Sequence, residues 1–173
     1  MKRNTDLWQL MGFATTSLIG TLLHFLYTWL EKPRWIAPFA SVNESTFEHM
    51  KLLFWPMLLF ALIEGLFLKD REDFWCIKAR GTLLGLVLIP VIFYTYNGAV
   101  GKSPGWINIA IFFIAAAAAY IYEAVMLRKP PSSRNERICK AIFMALAAAF
   151  VIFTFKAPGI NLFLDPISKT YGI

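Results

Sequence analysis

The amino-acid sequence predicts an all-α fold: a polytopic membrane bundle of about five transmembrane helices, in a single domain over residues 1–173. Hydrophobic residues make up 58% of the chain, whereas soluble domains contain about 45–50%. Long runs that are almost free of charge alternate with short segments that hold nearly all of the Lys, Arg, Asp and Glu. A helix needs roughly 20 mostly apolar residues to cross a bilayer. Several runs meet that length, and together they leave no room for a second, soluble domain.

The first helix is predicted over about residues 7–30. Its small and polar residues recur every three or four positions and therefore share one helix face; they are Ser17, Gly20, Thr21, His24 and Thr28. In lipid, such a face packs against other helices because it lets backbones approach closely. We therefore expect His24 to point into the bundle. The run is too long for a cleaved signal peptide, so we interpret it as a retained helix.

The second helix is predicted over about residues 42–68, and its start carries helix-capping residues. Ser41-x-x-Glu44 matches a capping box, and Asn43 is an alternative cap. Farther along, Glu64 is a carboxylate within an apolar run, which is costly unless it is neutral, paired or hydrated. Two interpretations are open. Glu64 either snorkels to the cytoplasmic interface or pairs with a basic residue such as Lys69 or Arg80, or it forms a proton or ion relay with His24.

Helices three to five are predicted over about residues 75–96, 106–127 and 141–155. Gly81-x-x-x-Gly85 is a small-x-x-x-small pattern, and helix four contains an alanine run over residues 115–119. Both features favour close helix contacts, including those of a homo-oligomer or of a complex with another membrane protein. Glu123, near the end of helix four, is expected at the membrane interface.

The distribution of Lys and Arg predicts an orientation. With five helices, eleven basic residues fall on the side of the N-terminus and six on the other side. The side richer in Lys and Arg is expected in the cytoplasm, which places the N-terminus inside and the C-terminus outside. Because the basic residues lie in short loops rather than in a stripe, the net charge of +6 does not indicate nucleic-acid binding. Cys76 and Cys139 would then lie on the reducing side, as free thiols.

In this orientation, four polar segments that are distant in sequence converge on the outer rim of the bundle. They are residues 43–51, residues 94–98, residues 165–172 and His24 near the outer end of helix one. Convergent polar groups at the mouth of an apolar bundle are a starting point for locating a functional site.

Two histidines and two carboxylates in this set suggest a metal site. Glu44 and Glu48 are one helical turn apart, and His49 lies on the adjacent face. With His24 from helix one, these residues are candidate catalytic groups, and His24, Glu48 and His49 are candidate ligands of a divalent metal such as zinc. The alternative is structural: Glu44 caps the helix, Glu48 complements the helix N-terminus and His49 is interfacial.

The remaining polar residues of the rim are candidate substrate-binding groups. They are Asn43, Ser45, Lys51, Tyr94, Asp165 and Tyr171. The C-terminal tail is apolar enough to fold back on the rim, with Asp165 either capping a turn or pairing with Lys51. Ser45 beside a histidine resembles a nucleophile and its base, but no third orienting group accompanies the pair.

Several short motifs in fixed order carry a resemblance over essentially the whole chain. They are Gly20-x-x-x-His24-Phe25, the run from Asn43 to Leu52, Ile89-Pro90-x-x-x-Tyr94-Thr95-Tyr96, and Leu164-Asp165-Pro166 with Thr170-Tyr171-Gly172. In these motifs the chain resembles an uncharacterised family of small bacterial integral membrane proteins, a domain of unknown function. The resemblance implies a multi-pass protein of the bacterial cytoplasmic membrane and brings no activity with it.

Three functions remain open from the sequence. The first is an enzyme whose site opens at the outer face and acts on membrane lipid or a lipid-linked substrate, with or without a metal. The second is a small transporter, for which Glu64 is the one deep acid. The third is a non-catalytic partner or assembly subunit. No Walker, Rossmann, haem or iron–sulfur signature is present in the sequence.

Overall fold

The structure, a computed structural model, describes residues 2–68, 70–101, 103–133 and 135–173, with side chains described from residue 5 onward. These residues form five helices and no strand, which confirms the predicted fold class. The helices are α1 (Lys2–Trp29), α2 (Thr46–Phe67), α3 (Phe74–Val100), α4 (Gly105–Leu127) and α5 (Glu136–Phe155), and a short 3-10 helix follows at Asn161–Phe163. All five are long and apolar enough to cross a membrane, as in a multi-pass membrane protein.

The start of α2 differs from the prediction and decides which acids lie in the helix. Ser45, not Ser41 or Asn43, is the N-cap, and its hydroxyl accepts a hydrogen bond from the backbone N–H of Glu48. Ser41 instead donates to the backbone carbonyl of Asn43 at 2.8 Å. Because the helix begins at Thr46, Glu44 lies in the preceding loop and Glu48 in the first turn.

Four of the helices form a closed ring in which each packs against two neighbours. The contacts run α1 to α2, α2 to α3, α3 to α4, and α4 back to α1, whereas α5 packs outside the ring against α3. Gly85 faces Leu53 and the backbone of Ala115, so even a methyl group there would crowd α3 against its neighbours. The Gly81-x-x-x-Gly85 face is therefore occupied within the chain.

The two ends of the bundle differ in character. At one end, here called the tail end, α1, α3 and α5 finish and the C-terminal residues 156–173 fold back. At the other, here called the basic end, the same three helices begin. Arg71, Arg128 and Lys140 lie there, and Arg71 donates hydrogen bonds to the last carbonyls of α4.

A disulfide bond joins Cys76 to Cys139 at the basic end, so the prediction of two free thiols was wrong. The reason is the start of α5, which begins at Glu136 rather than near residue 141. The Glu136 carboxylate accepts a hydrogen bond from the backbone N–H of Trp75, which holds the first turns of α3 and α5 together. The two cysteine Cα atoms are then 5.0 Å apart, within the usual range for a disulfide.

Candidate functional site

The side chains of His24, Glu44 and His49 meet at the tail end. His24 comes from the last two turns of α1, Glu44 from the loop before α2, and His49 from the first turn of α2. The Nε2 atoms of the two histidines lie 3.6 and 3.7 Å from the two carboxylate oxygens of Glu44. One ligand atom from each residue can be chosen so that all three lie within 4.8 Å of one another. All three residues are half-buried, so this group, here called the His–Glu centre, is open to a ligand.

Local structure aims the His49 ring at Glu44. The Nδ1 atom of His49 is 2.9 Å from the backbone carbonyl oxygen of Ser45, the residue that caps α2. Since a carbonyl can only accept, Nδ1 carries a proton, and in the neutral ring Nε2 then has the lone pair. Nε2 is the atom that faces Glu44. A hydrogen bond of this kind behind the ring is the usual way that proteins orient a ligating histidine.

The C-terminal tail holds the loop that carries Glu44. The backbone N–H of Glu44 donates to the carboxylate of Asp165, and the amide of Asn43 donates to the carbonyl of Gly172 at 3.0 Å. Asn43 also accepts from the backbone N–H of Ser45 at 2.9 Å. The predicted folding-back of the tail therefore has a definite role, which is to fix the backbone on both sides of Glu44.

Asp165 closes a turn within the tail and does not pair with Lys51. Its carboxylate accepts hydrogen bonds from the Ser168 hydroxyl at 2.6 Å and from the backbone N–H of Ile167 at 2.9 Å. Burial alone would raise the pKa of Asp165, but the hydrogen bonds from Ser168, Ile167 and Glu44 favour the ionised form and lower the pKa below its ordinary value.

Glu48 lies outside the His–Glu centre, although it was among the predicted metal ligands. Its carboxylate contacts the Lys51 ammonium at 2.7 Å and accepts from the backbone N–H of Val42 at 2.9 Å. Lys51 in turn donates to the carbonyl of Ala37 and the hydroxyl of Thr154. Both members of the pair are buried, at 1% and 0% exposure. Glu48 and Lys51 thus neutralise each other, and Lys51 is not available to a substrate in this arrangement.

An apolar groove between α1 and α4 leads to the His–Glu centre. It has a volume of about 360 Å³, and its walls include Phe25 and Thr21 from α1 and Ile109 and Phe113 from α4. These side chains lie on the outer surface of the bundle. The groove is therefore open sideways, toward what would be lipid in a membrane. A smaller cavity of about 20 Å³ lies on the other side of Glu44 and His49, against α3.

Asn108 is a polar residue of this region that the sequence analysis did not single out. It lines both cavities, and its side-chain oxygen accepts a hydrogen bond from the Ser103 hydroxyl at 2.8 Å. The amide nitrogen is left as a donor for a ligand. Its signal in the sequence was a lone asparagine within the apolar stretch Trp106–Ile111.

A comparison with protein families gives a match that covers the whole chain. A model described as a family of unknown function, DUF6512, matches residues 1–173. The chain belongs to this family. The membership agrees with the resemblance drawn from the motifs around His24, Glu44 and His49, and, like that resemblance, it assigns no activity. No curated protein and no solved structure matches the chain.

Three other predicted site residues of this DUF6512 chain lie near the His–Glu centre without joining it. Ser45 is 1% exposed and serves as the helix cap, so its hydroxyl is not placed as a nucleophile. The phenol oxygen of Tyr94 lies 3.5 Å from the Thr46 hydroxyl, which donates to it. Tyr171 pairs through its backbone with Leu164 in the tail, and its ring is 41% exposed.

A second polar cluster of this family member lies inside the ring of helices near the basic end. It takes one side chain from each of the four helices: Gln9, Glu64, Lys78 and Glu123, which are all at most 3% exposed. Glu64 pairs with Lys78 at 2.6 Å, rather than with Arg80; Lys69, the other predicted partner, lies outside the described residues. Glu123 also pairs with Lys78 and is fully buried, so its predicted interfacial position was wrong. This group is called the Lys78 cluster below.

Proposed function

We propose that the protein is a membrane enzyme that holds a divalent transition-metal ion, with zinc as the first candidate, and acts on the polar head of a lipid or lipid-linked substrate. The observation that carries the proposal is the His–Glu centre at the mouth of the apolar groove. Its three ligands would be His24, Glu44 and His49. Glu44 takes the place that the sequence analysis gave to Glu48.

The geometry of the three residues suits zinc. Zinc binds histidine nitrogen and carboxylate oxygen at about 2.0–2.2 Å in a tetrahedron, which keeps the ligand atoms roughly 3.3 Å apart. The two separations from Glu44 to the imidazoles, 3.6 and 3.7 Å, are slightly longer than that. The ligand atoms of the two imidazoles lie within 4.8 Å of each other, so side-chain movements of roughly 1 Å would bring all three ligands to the tetrahedral distance.

The ligand set also favours catalysis over a purely structural metal. Structural zinc sites are usually closed by four protein ligands, whereas catalytic sites have three and keep a fourth position for water or substrate. When bound, the metal would supply a Lewis acid and a water molecule of lowered pKa. The chain itself contributes the orientation of His49 through Ser45, the support of the Glu44 backbone by Asp165, and a free amide donor at Asn108.

The groove indicates the class of substrate. Its volume of about 360 Å³ lies near the lower end of the range of about 300–1,000 Å³ for small-molecule sites, and its walls are mainly apolar and aromatic. A single hydrocarbon chain lying between α1 and α4 would bring its polar head to the His–Glu centre. The apolar part of the substrate would supply binding energy, and the polar residues at the mouth of the groove would determine which bond of the polar head lies at the His–Glu centre.

We place the protein in the bacterial cytoplasmic membrane with the tail end outside. The excess of Lys and Arg at the basic end supports this orientation. The Cys76–Cys139 disulfide at the same end favours the opposite one, because disulfides persist in oxidising compartments, and a fusion to the C-terminus decides between the two. Lys51 and Lys78 are buried in ion pairs and do not contribute to the count of basic residues at the membrane surface. Each comes from a different side, so the excess at the basic end is unchanged. An alkaline phosphatase fused to the C-terminus is expected to be active, because that enzyme folds only in an oxidising compartment. An inactive fusion, with an active fusion in the loop between α2 and α3, would invert the orientation.

The proposal is tested by metal content. Protein purified in detergent without chelators is expected to contain about one zinc ion per chain. His24→Ala, Glu44→Gln and His49→Ala should each lose it. Glu31→Gln, which changes an exposed carboxylate at the same end of the bundle, is the matched control and should retain it. A wild-type protein that takes up no transition metal, or three variants that all retain it, would contradict the proposal.

One further variant separates the two candidate ligand sets. Glu48→Gln removes the carboxylate that the sequence analysis assigned to the metal but leaves Glu44 in place. If Glu44 is the ligand, folded Glu48→Gln protein binds zinc with an affinity near that of the wild type. Loss of zinc from a folded Glu48→Gln protein, with retention in Glu44→Gln, would assign the metal to Glu48 instead.

A further inference from the structure

The Lys78 cluster has one more acid than base. The Lys78 ammonium contacts Glu64 at 2.6 Å and also contacts Glu123. Gln9 completes the group: its amide donates to Glu64 at 2.6 Å, and its oxygen accepts from Lys78 at 3.4 Å. If both acids were ionised, the interior of the ring would carry one uncompensated negative charge.

No other described group near the cluster supplies the missing positive charge. The side chains that surround the Lys78 ammonium are the rings of Phe60, Phe74 and Tyr120. Tyr120 is itself hydrogen-bonded to Thr16 at 2.7 Å and carries no charge. On the same elements, Asp6 and Arg128 form an exposed pair with each other, and the Arg80 side chain of α3 is exposed to solvent. The excess negative charge must therefore be neutralised within the cluster itself.

One carboxylate oxygen of the cluster indicates where the excess negative charge is neutralised. Two carboxylate oxygens of the cluster, Glu64 Oε2 and Glu123 Oε1, have no hydrogen-bond partner among the described residues. Glu64 Oε2 lies 2.6 Å from the Lys78 ammonium, whereas Lys78 contacts Oε2 of Glu123 and leaves its Oε1 without a partner, although Glu123 is 0% exposed. A buried anionic oxygen without a partner carries a large desolvation cost, whereas a neutral carboxyl avoids most of it. Glu123 also lies directly over Gly81, where a larger residue would displace it. The sequence thus makes room for this carboxyl and gives it no second cation.

We propose that the Lys78 cluster is a proton-binding site in which Glu64 and Glu123 together hold one exchangeable proton. The proton neutralises the excess acid, and the orphan oxygen of Glu123 is the position at which it is held most of the time. The ligand of the site is the proton itself. The site is separate from the His–Glu centre, and the proposal does not depend on whether that centre binds a metal.

The chain contains a matched comparison for this proposal. The Glu48–Lys51 pair at the tail end is also buried, but it has one acid and one base, with hydrogen bonds from Val42 to the carboxylate and from Lys51 to Ala37 and Thr154. The charges balance without a proton. The bundle therefore buries a charge-balanced pair at the tail end and a cluster with one excess acid near the basic end.

Infrared spectroscopy of the whole protein in detergent or vesicles tests the proposal, because a protonated carboxyl has a C=O stretching band that an ionised carboxylate lacks. Wild-type protein at neutral pH is expected to show one such band, with a small shift in heavy water. Glu123→Gln and Glu64→Gln should each abolish it, since either change leaves one acid and one base. Glu48→Gln is the control and should leave the band unchanged.

A variant of the cation provides the opposite change. Lys78→Met removes the positive charge, so both acids are expected to take up protons and the band should double in area. If this variant does not fold, the wild-type and Glu→Gln spectra still decide the matter. A wild-type spectrum without a protonated carboxyl at neutral pH would overturn the proposal, as would a band that persists in both Glu64→Gln and Glu123→Gln.

Discussion

The bundle buries one lysine near each of its ends, and the two lysines contact different polar groups. Lys51 faces one carboxylate, from Glu48, and two neutral oxygens. Lys78 faces two carboxylates and the amide of Gln9. The first arrangement is a closed structural pair that ties α2 to α5 and to the loop before α2. The second arrangement has one carboxylate more than it has cations, as we expect of a site that holds an exchangeable proton.

The difference extends to the neighbouring chemistry. Beside the balanced pair, at the tail end, lie the half-buried His–Glu centre and its apolar groove. Because Glu48 is neutralised by Lys51, Glu44 is the acid that faces the two histidines among the residues that the structure describes. Near the basic end, the acids are enclosed by four helices, and Glu64 and Glu123 are both 0% exposed. A ligand with a hydrocarbon chain is therefore expected at the tail end, and only a proton at the basic end.

Removal of Lys78 should have the largest effect on stability. Lys78→Met removes the counter-charge of the one acid that is ionised in the wild type, so this acid must take up a proton in the interior, and breaking a buried ion pair from one side costs about 3–5 kcal/mol. Thermal unfolding in detergent should show a large decrease in midpoint. A midpoint close to that of the wild type would mean that both acids are already neutral and that Lys78 has another partner.

The two clusters should respond differently to the loss of one acid. Glu48→Gln leaves the Lys51 ammonium buried without a counter-charge, at a cost of about 3–5 kcal/mol. Glu64→Gln leaves Lys78 paired with Glu123, so we expect a loss of only about 1 kcal/mol, as for one ordinary hydrogen bond. Denaturation of both variants side by side checks this. Equal losses would remove the distinction between the clusters.

The disulfide should contribute less than either ion cluster but more than a single hydrogen bond. Cys76 and Cys139 are 63 residues apart in sequence, and a cross-link of that kind contributes about 2–4 kcal/mol. Because α5 packs outside the ring of four helices, the double variant with serine should free α5 first. Hydrogen exchange should rise in α5 and stay low in α2 and α3. Uniform exchange across all helices would show that α5 is not a separate unit.

Asp165 should affect the His–Glu centre through the Glu44 backbone. Asp165→Asn is expected to weaken zinc binding by about 10–100-fold, as for other groups that support a metal ligand. Because the pKa of Asp165 is lowered in the fold, its stabilising contribution is complete above its unfolded pKa and is lost as the pH falls through the folded value. Lys169→Ala, in the same turn, is the control. Unchanged zinc affinity in Asp165→Asn would show that the tail does not fix Glu44.

The fold was predictable because its signal is local. Runs of apolar residues between charged segments define each helix, and the positions of His24 and His49 near helix ends place them at the same end of the bundle. The choice between Glu44 and Glu48 was not predictable, because it depends on which residue caps α2. With Ser45 as the cap, Glu44 remains in the loop and turns toward the imidazoles, while Glu48 turns toward Lys51.

The Lys78 cluster could not be predicted for a different reason. Lys78 follows a charged loop closely in sequence, so it was counted with the loop, and Glu123 was assigned to the interface on the same grounds. Their pairing joins residues 45 positions apart, and Gln9 is 69 positions from Lys78. Such contacts depend on how the helices are arranged around the ring and on where each face points. Neither is encoded in a local pattern.

X-ray absorption spectroscopy of the zinc-loaded protein tests the central claim about the tail end most directly, because it reports the atoms bound to the metal. We predict a zinc ion with two imidazole nitrogens and carboxylate or water oxygens at about 2.0–2.2 Å, with no sulfur. His49→Ala should not retain zinc at this site, so its spectrum should lack the signal of two imidazoles. Sulfur ligands, or a shell of oxygen alone in the wild-type protein, would contradict the assignment of His24, Glu44 and His49.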